Sequence, residues 1–184
     1  MRGQRLIRIG RSRLAACCAA LATSVLVLAG CSMDATDFRA ISAGDAAPAY
    51  AAPTLAGDTV SLAELRGEAV LLNVWATWCA PCRREMLALQ AAHEEWGDEG
   101  LRVVGASIDR RTARSQVDRF VEDHGITFTI LHDPASEVTR SFRTAGVPET
   151  FLIDREGTVV HRWVGEFDPT EAAEAARIRQ ALDR

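Results

Sequence analysis

An almost unbroken apolar stretch, Ala69-Val70-Leu71-Leu72-Asn73-Val74-Trp75, runs directly into Trp78-Cys79-Ala80-Pro81-Cys82, and this junction restricts the folding of the chain more than any other feature. Seven residues with a single polar interruption suit a strand covered on both faces, as in a parallel sheet flanked by helices. Just beyond, Pro81 fits the first turn of a helix, where its missing N–H is no loss. The spacing predicts strand, turn and helix, with Cys79 at the helix N-terminus and Cys82 one turn further in. A second apolar run over residues 101–108 predicts another inner strand. Met86, Leu89 and Trp96 between the two runs suit a helix lying on that sheet, and Gly97 and Gly100 release it.

The remaining pattern extends this unit. Val117, Phe120 and Val121 predict a helix over 112–124 that stops at Gly125, and residues 126–131 read as a short strand. Asp133-Pro134 has the form of a helix start, with Val138 and Phe142 following, and Gly146-Val147-Pro148 ends that helix. Residues 150–154 and 158–164 flank Arg155-Glu156-Gly157 as the arms of an antiparallel hairpin. Asp168-Pro169 and Glu171 open a last helix carrying Ala175, Ile178 and Leu182. Near the front, residues 49–55 and 59–61, parted by Gly57-Asp58, predict a small β-hairpin. The expected class is α/β, a mixed central sheet with helices on both faces.

Residues 1–30 hold five arginines and no acid, then an apolar run over 14–29, the layout of an export signal. About 16 apolar residues fall short of the roughly 20 that span a bilayer, which disfavours a permanent signal-anchor helix. Leu28-Ala29-Gly30-Cys31 resembles the lipobox of bacterial lipoproteins, in which the cysteine is lipidated and becomes the first mature residue. The expected organisation is a lipoprotein signal peptide at 1–30, lipidated Cys31 with a flexible linker through 47, and a folded domain at 48–184. Such a protein sits outside the cytoplasm, lipid-anchored to the cell membrane. Without residues 1–30, 16 basic residues face 25 acidic ones, a formal charge of −9, which argues against nucleic-acid binding.

Of five cysteines, Cys17 and Cys18 leave with the signal and Cys31 takes lipid, so Cys79 and Cys82 remain. A thiol at a helix N-terminus faces unpaired backbone N–H groups and the positive end of the helix dipole, which favours its thiolate. Cys79 is therefore the expected nucleophile. Cys82 is the expected resolving thiol, placed to attack a mixed disulfide at Cys79 and release the partner. Trp78 is positioned to shield the approach to Cys79, and Arg83 and Arg84 add positive potential or serve only as solvated surface residues. The competing reading of Cys-x-x-Cys is half of a zinc site. Its missing ligands would have to come from His93, His124, His132 and His161, which are widely separated, so no metal and no cofactor is expected.

Strand, Trp78-Cys79-Ala80-Pro81-Cys82, helix, and then Gly146-Val147-Pro148-Glu149-Thr150 with Phe151-Leu152-Ile153-Asp154, resemble the extracytoplasmic TlpA/ResA/CcmG-type thioredoxins. The likeness covers residues 46–184 and implies a thioredoxin-like fold with an inserted helix and strand at 112–131. It implies that Pro148 is a cis-proline beside the cysteines, and that Trp78, Pro81, Val147, Pro148 and Glu149 contact the substrate. Glu85 and Glu149 match acidic positions near the cysteines, where each would tune a thiol or remain a solvated carboxylate. Asn73 stands where cytoplasmic thioredoxins place a buried Asp, which removes one candidate base. Leu87 replaces a frequent proline, so a straighter helix is expected.

The same resemblance implies a membrane-anchored thiol–disulfide oxidoreductase that reduces disulfides of extracytoplasmic proteins, apocytochrome c during cytochrome c maturation among them. A membrane thiol–disulfide relay protein would supply its electrons. The rival expectations are a general extracytoplasmic disulfide oxidase or isomerase, a peroxiredoxin-type peroxidase with antioxidant activity, and a non-enzymatic metal carrier.

Overall fold

Seven consecutive buried residues make Ala69–Trp75 strand β3, and the five-stranded sheet is built around it. The structure is a computed structural model and describes residues 39–184. Cys31 and the signal assigned to 1–30 lie outside the described residues. Strands β1 (Ala51–Pro53) and β2 (Thr59–Ser61) pair antiparallel as a separate small sheet, the expected N-terminal hairpin. After β3 come α1 (Ala80–Trp96), β4 (Leu101–Ser107), α2 (Arg114–Asp123) and β5 (Thr129–His132). Then follow α3 (Glu137–Phe142), β6 (Glu149–Ile153), β7 (Val159–Val164) and α4 (Ala172–Leu182). The sheet order is β5-β4-β3-β6-β7, with β3, β4 and β5 parallel and β6 and β7 antiparallel to their neighbours.

Side chains alternate across this sheet, and each face has its own core. On one face Leu71, Trp75, Val103 and Leu152 pack with Met86, Leu89 and Trp96 of α1, Val117 and Phe120 of α2, and Ile178 of α4. The two cysteines belong to this layer. On the other face Val70, Leu72, Val74, Val104 and Phe151 pack with Val138 and Phe142 of α3 and with Tyr50 and Ala52. Gly105 is required at its place in β4. A Cβ there would lie 2.9 Å from Ile130 Cδ1 and 3.2 Å from both Phe128 Cε2 and Trp75 Nε1.

Two helix starts differ from expectation. Asp133 is not the N-cap of α3: Ser136 takes that place with a left-handed backbone, φ 55°, and the helix begins at Glu137, while Asp133 Oδ2 accepts from Val138 N at 2.8 Å. Asp168 instead accepts from Thr170 N and Oγ1 in a local turn, and α4 begins at Ala172.

Residues 39–47, assigned above to a linker, lie against the domain. Gly44 N donates to Val159 O, Val159 N donates to Asp45 O, and Ala47 N donates to Gly157 O. Ile41 and Ala47 pack on the second core. The chain then crosses the sheet face opposite α1 and reaches the other edge, where Thr54 bridges Leu131 and Leu55 N donates to Ile130 O. This N-terminal strap thus touches both edge strands, about 19 Å apart across four inter-strand gaps. The compact unit begins at Arg39. Among the described residues no helix is long and apolar enough to cross a membrane.

Candidate active site

Strand β3 ends at Trp75, and the four residues before α1 bring the chain to the sheet's C-terminal edge, where the parallel strands β3 and β4 both terminate. Asp109, just past β4, braces that turn. Its carboxylate accepts from Thr77 N at 2.8 Å, Thr77 Oγ1 at 2.7 Å and Ser107 Oγ at 2.9 Å. Cys79 is the N-cap of α1, with extended backbone at φ −88° and ψ 106°, and its Sγ accepts from Cys82 N at 3.2 Å. A helix N-terminus has donors without intrahelical partners, and here the sulfur takes one of them. Pro81 sits in the first turn as expected.

Cys79 and Cys82 are joined as a disulfide, with Cα atoms 5.3 Å apart. Both sulfurs lie in the core layer, yet unequally: Cys79 is 6% exposed and Cys82 1%. Cys79 is thus slightly the less buried of two buried residues. Around it Trp78 is 65% exposed and Pro81 half-buried. Trp78 therefore stands out from the surface rather than closing over Cys79. The Val147–Pro148 peptide is cis, with Pro148 buried and Val147 half-buried against the cysteine layer.

Beneath the pair lies a polar triad. Asn73 of β3 faces Thr150 of β6 across the sheet, and Glu85 is one turn beyond Cys82 on α1. Glu85 Oε1 accepts from Asn73 Nδ2 at 3.1 Å and from Thr150 Oγ1 at 2.9 Å. Asn73 Nδ2 also donates to Thr150 Oγ1 at 2.8 Å. The second carboxyl oxygen, Oε2, is buried without a hydrogen-bond partner. Burial, reinforced by the charge of Glu166, pushes the Glu85 carboxyl up to about 8, against the lowering effect of the Thr150 hydrogen bond. Glu85 is consequently uncharged at neutral pH, a carboxyl able to take or give a proton near physiological pH.

Glu149 is placed differently from the expectation of substrate contact. It is fully buried, and its carboxylate receives Arg162 Nε at 2.5 Å and Ala145 N at 2.8 Å. Strand alternation turns it to the face opposite Thr150, hence away from the triad and the sulfurs. Arg84 meets Glu166 through two hydrogen bonds, and Arg83 donates to the Thr77 carbonyl at 2.8 Å. Neither Asp109 nor Thr150 stands out in the sequence. Asp109 follows a strand without any motif, and the link from Thr150 to Asn73 depends on a register between segments 77 residues apart.

A family model described as AhpC/TSA matches residues 43–162. The chain belongs to the AhpC/TSA family. Relatives within reach of this AhpC/TSA family member carry the chemistry in their names. The thiol-disulfide oxidoreductase ResA of Oceanobacillus iheyensis is 33% identical over 127 residues, 67% of this chain and 65% of that relative. A Chlorobium tepidum structure described as a thiol:disulfide interchange protein DsbE superposes with a TM-score of 0.71 at 32% identity, covering 77% of this chain and 99% of that one. A secreted thiol-disulfide isomerase from Corynebacterium glutamicum superposes with a TM-score of 0.66 at 26% identity, covering 74% and 85%. With its own Cys79–Cys82 disulfide, this thioredoxin-like AhpC/TSA family member is a thiol–disulfide oxidoreductase.

Proposed function

We propose that the chain is a membrane-anchored reductant of protein disulfides outside the cytoplasm, with Cys79 as nucleophile and Cys82 as resolving thiol. The observation that carries this reading is the Cys79–Cys82 disulfide at the start of α1, with Cys79 at the N-cap and the Cys82 N–H directed to its Sγ. In the reduced protein the Cys79 thiolate attacks a substrate disulfide, and one substrate sulfur leaves as thiolate and takes a proton from water. Glu85, uncharged at rest, first loses its proton to solvent; Cys82 then gives its proton to that carboxylate, attacks Cys79 Sγ and expels the second substrate sulfur, which also takes a proton from water. The substrate gains two electrons and two protons, and Cys79 and Cys82 end as the disulfide.

Trp78, Pro81, Val147 and Pro148 are the proposed substrate-binding residues, a reading supported by the cis Val147–Pro148 bond and by the packing of Val147 on the core layer that holds the cysteines. Relatives named thiol-disulfide oxidoreductase ResA and thiol:disulfide interchange protein DsbE support the exchange chemistry, and the motif resemblance to the TlpA/ResA/CcmG-type thioredoxins supports the reductive direction, with apocytochrome c as a substrate and a membrane thiol–disulfide relay protein as electron donor. The export-like segment and Cys31 support a lipoprotein signal at 1–30 and a lipid anchor, and the likeness to a secreted protein supports the extracytoplasmic location. The described strap shortens the tether proposed for 31–47 to residues before 39. The isomerase neighbour favours one second reading, a general disulfide oxidase or isomerase.

Acid trapping of thiols in living cells, combined with Cys82→Ser to capture substrate on Cys79, tests the proposal. Mainly reduced cysteines and captured haem-free cytochrome c are expected. A resting disulfide in cells, with a broad set of captured secreted proteins, would select the oxidase or isomerase instead.

A further inference from the structure

Between α1 and the segment joining β7 to α4 runs a groove of about 430 Å³. Glu85 lies on its floor, 1% exposed, while Arg84 and Glu166 stand at its rim with side chains 63% and 36% exposed. None of Trp78, Cys79, Pro81, Val147 or Pro148 lines it. The groove thus shares no lining residue with these surroundings of the cysteine pair. Two features of its floor make that separation consequential. Glu85 Oε2 is buried with no protein partner, and the other oxygen is held by Asn73 and Thr150, which fix the carboxyl in place.

We propose that this groove is the opening through which Glu85 releases and regains its proton during thiol–disulfide exchange, and that the Arg84–Glu166 pair across it is a positioning device that sets when Glu85 ionises. The inference rests on Glu85 being the proton acceptor for Cys82. The balance is simple: protonated Glu85 loses a proton to groove water, accepts the proton of the Cys82 thiol as the disulfide closes and so is protonated again, while both substrate thiolates take protons from water; when the disulfide is next reduced, Glu85 gives a proton to Cys82 and regains one from groove water. Redox change is confined to the sulfurs.

Charges facing the carboxyl come from each neighbouring element. Arg84 and Cys82 belong to α1, Glu166 and Asp168 to the connecting segment, and Glu171 and Glu174 to the start of α4. The sheet contributes the uncharged Asn73 and Thr150. Three carboxylates near the mouth are free of the Arg84 cation, so exchanging partners of the Arg84–Glu166 pair changes the local field in opposite senses. An exposed ion pair holds weakly, typically within about 1 kcal/mol, and so opens readily to water.

The test is the pH dependence of insulin reduction by the full chain, between about pH 5 and pH 10. It compares wild type with Glu166→Gln, Arg84→Met, Ala88→Phe and Glu85→Gln, each first shown to be folded by a single cooperative melting transition. The wild-type profile should inflect near the Glu85 pKa of about 8. Glu166→Gln should move the inflection down and Arg84→Met should move it up, each by roughly half a unit to one unit. Ala88→Phe, which fills the groove without altering charge, should slow reduction several-fold at an unmoved inflection. Glu85→Gln should remove the inflection. If Glu85→Gln removes it but the Arg84 and Glu166 variants leave it in place, or if Ala88→Phe leaves the rate unchanged, the groove and its pair have no such role while the proposed function stands. An inflection that survives Glu85→Gln overturns the proton-acceptor assignment, and absence of insulin reduction by wild type overturns the reductant reading itself.

Discussion

Glu85 is the residue whose protonation state ties stability to function. Its folded pKa of about 8 lies above the ordinary 4.5, so the folded protein holds this proton over a range in which the unfolded chain has lost it. The sign follows from linkage: stability is greatest below about pH 4.5, falls as pH rises toward 8, and levels off above that. Glu85→Gln should remove this decline and raise stability at pH 9 by on the order of a few kcal/mol, as read from denaturant melts at several pH values. Arg162 offers a contrasting case. It pairs with fully buried Glu149, so Arg162→Met should destabilise by about 3–5 kcal/mol because a buried carboxylate is left without its counter-charge, held only by Ala145 N. At this scale Cys79, Cys82 and the cis bond at Pro148 are legible because each belongs to a compact local motif. Glu85 is legible only in part, since helical spacing places it one turn beyond Cys82 but says nothing of Thr150 above it. Glu149 misleads, because proximity to Pro148 along the chain does not reveal which face of β6 it occupies.

Among the elements, β3 and α1 form the unit that matters most, and both are written plainly in the sequence. An apolar run that needs two covered faces, followed by a proline-containing turn of helix, admits few alternatives. Strand β4 shows how tightly that unit is packed. Gly105→Ala should destabilise by about 1–3 kcal/mol, because the new methyl meets the rings of Phe128 and Trp75 as well as the more yielding end of Ile130. Thermal melts of the purified variant check this. The start of α3 is less readable: Asp133 and Pro134 lie before the helix and Ser136, with a left-handed backbone that leaves no trace in residue pattern, is the N-cap. Asp133→Ala should lower stability by about 1 kcal/mol through loss of the bond to Val138 N.

For the whole molecule the main surprise is the strap. A stretch rich in Ala, Ser, Asp and Gly reads as linker because it lacks apolar periodicity, yet its attachment is made by backbone hydrogen bonds, which any sequence can supply. Ile41 and Ala47 add only two small anchors. Removing residues 1–47 should therefore lower the melting temperature and promote association through the uncovered β7 edge, whereas removing 1–38 should leave the domain monomeric and as stable as the full chain. Sedimentation and thermal melts distinguish the two constructions. A mechanical consequence follows from the route of this segment. Tension applied through Arg39 is borne by Arg143, which holds the Arg39 carbonyl, by Arg162, which holds that of Ile41, and by the bonds from 44–47 to 157–159. The sulfurs hang from β3 and α1 on the opposite side of the sheet, so tugging on the front of the chain is absorbed before it can disturb them.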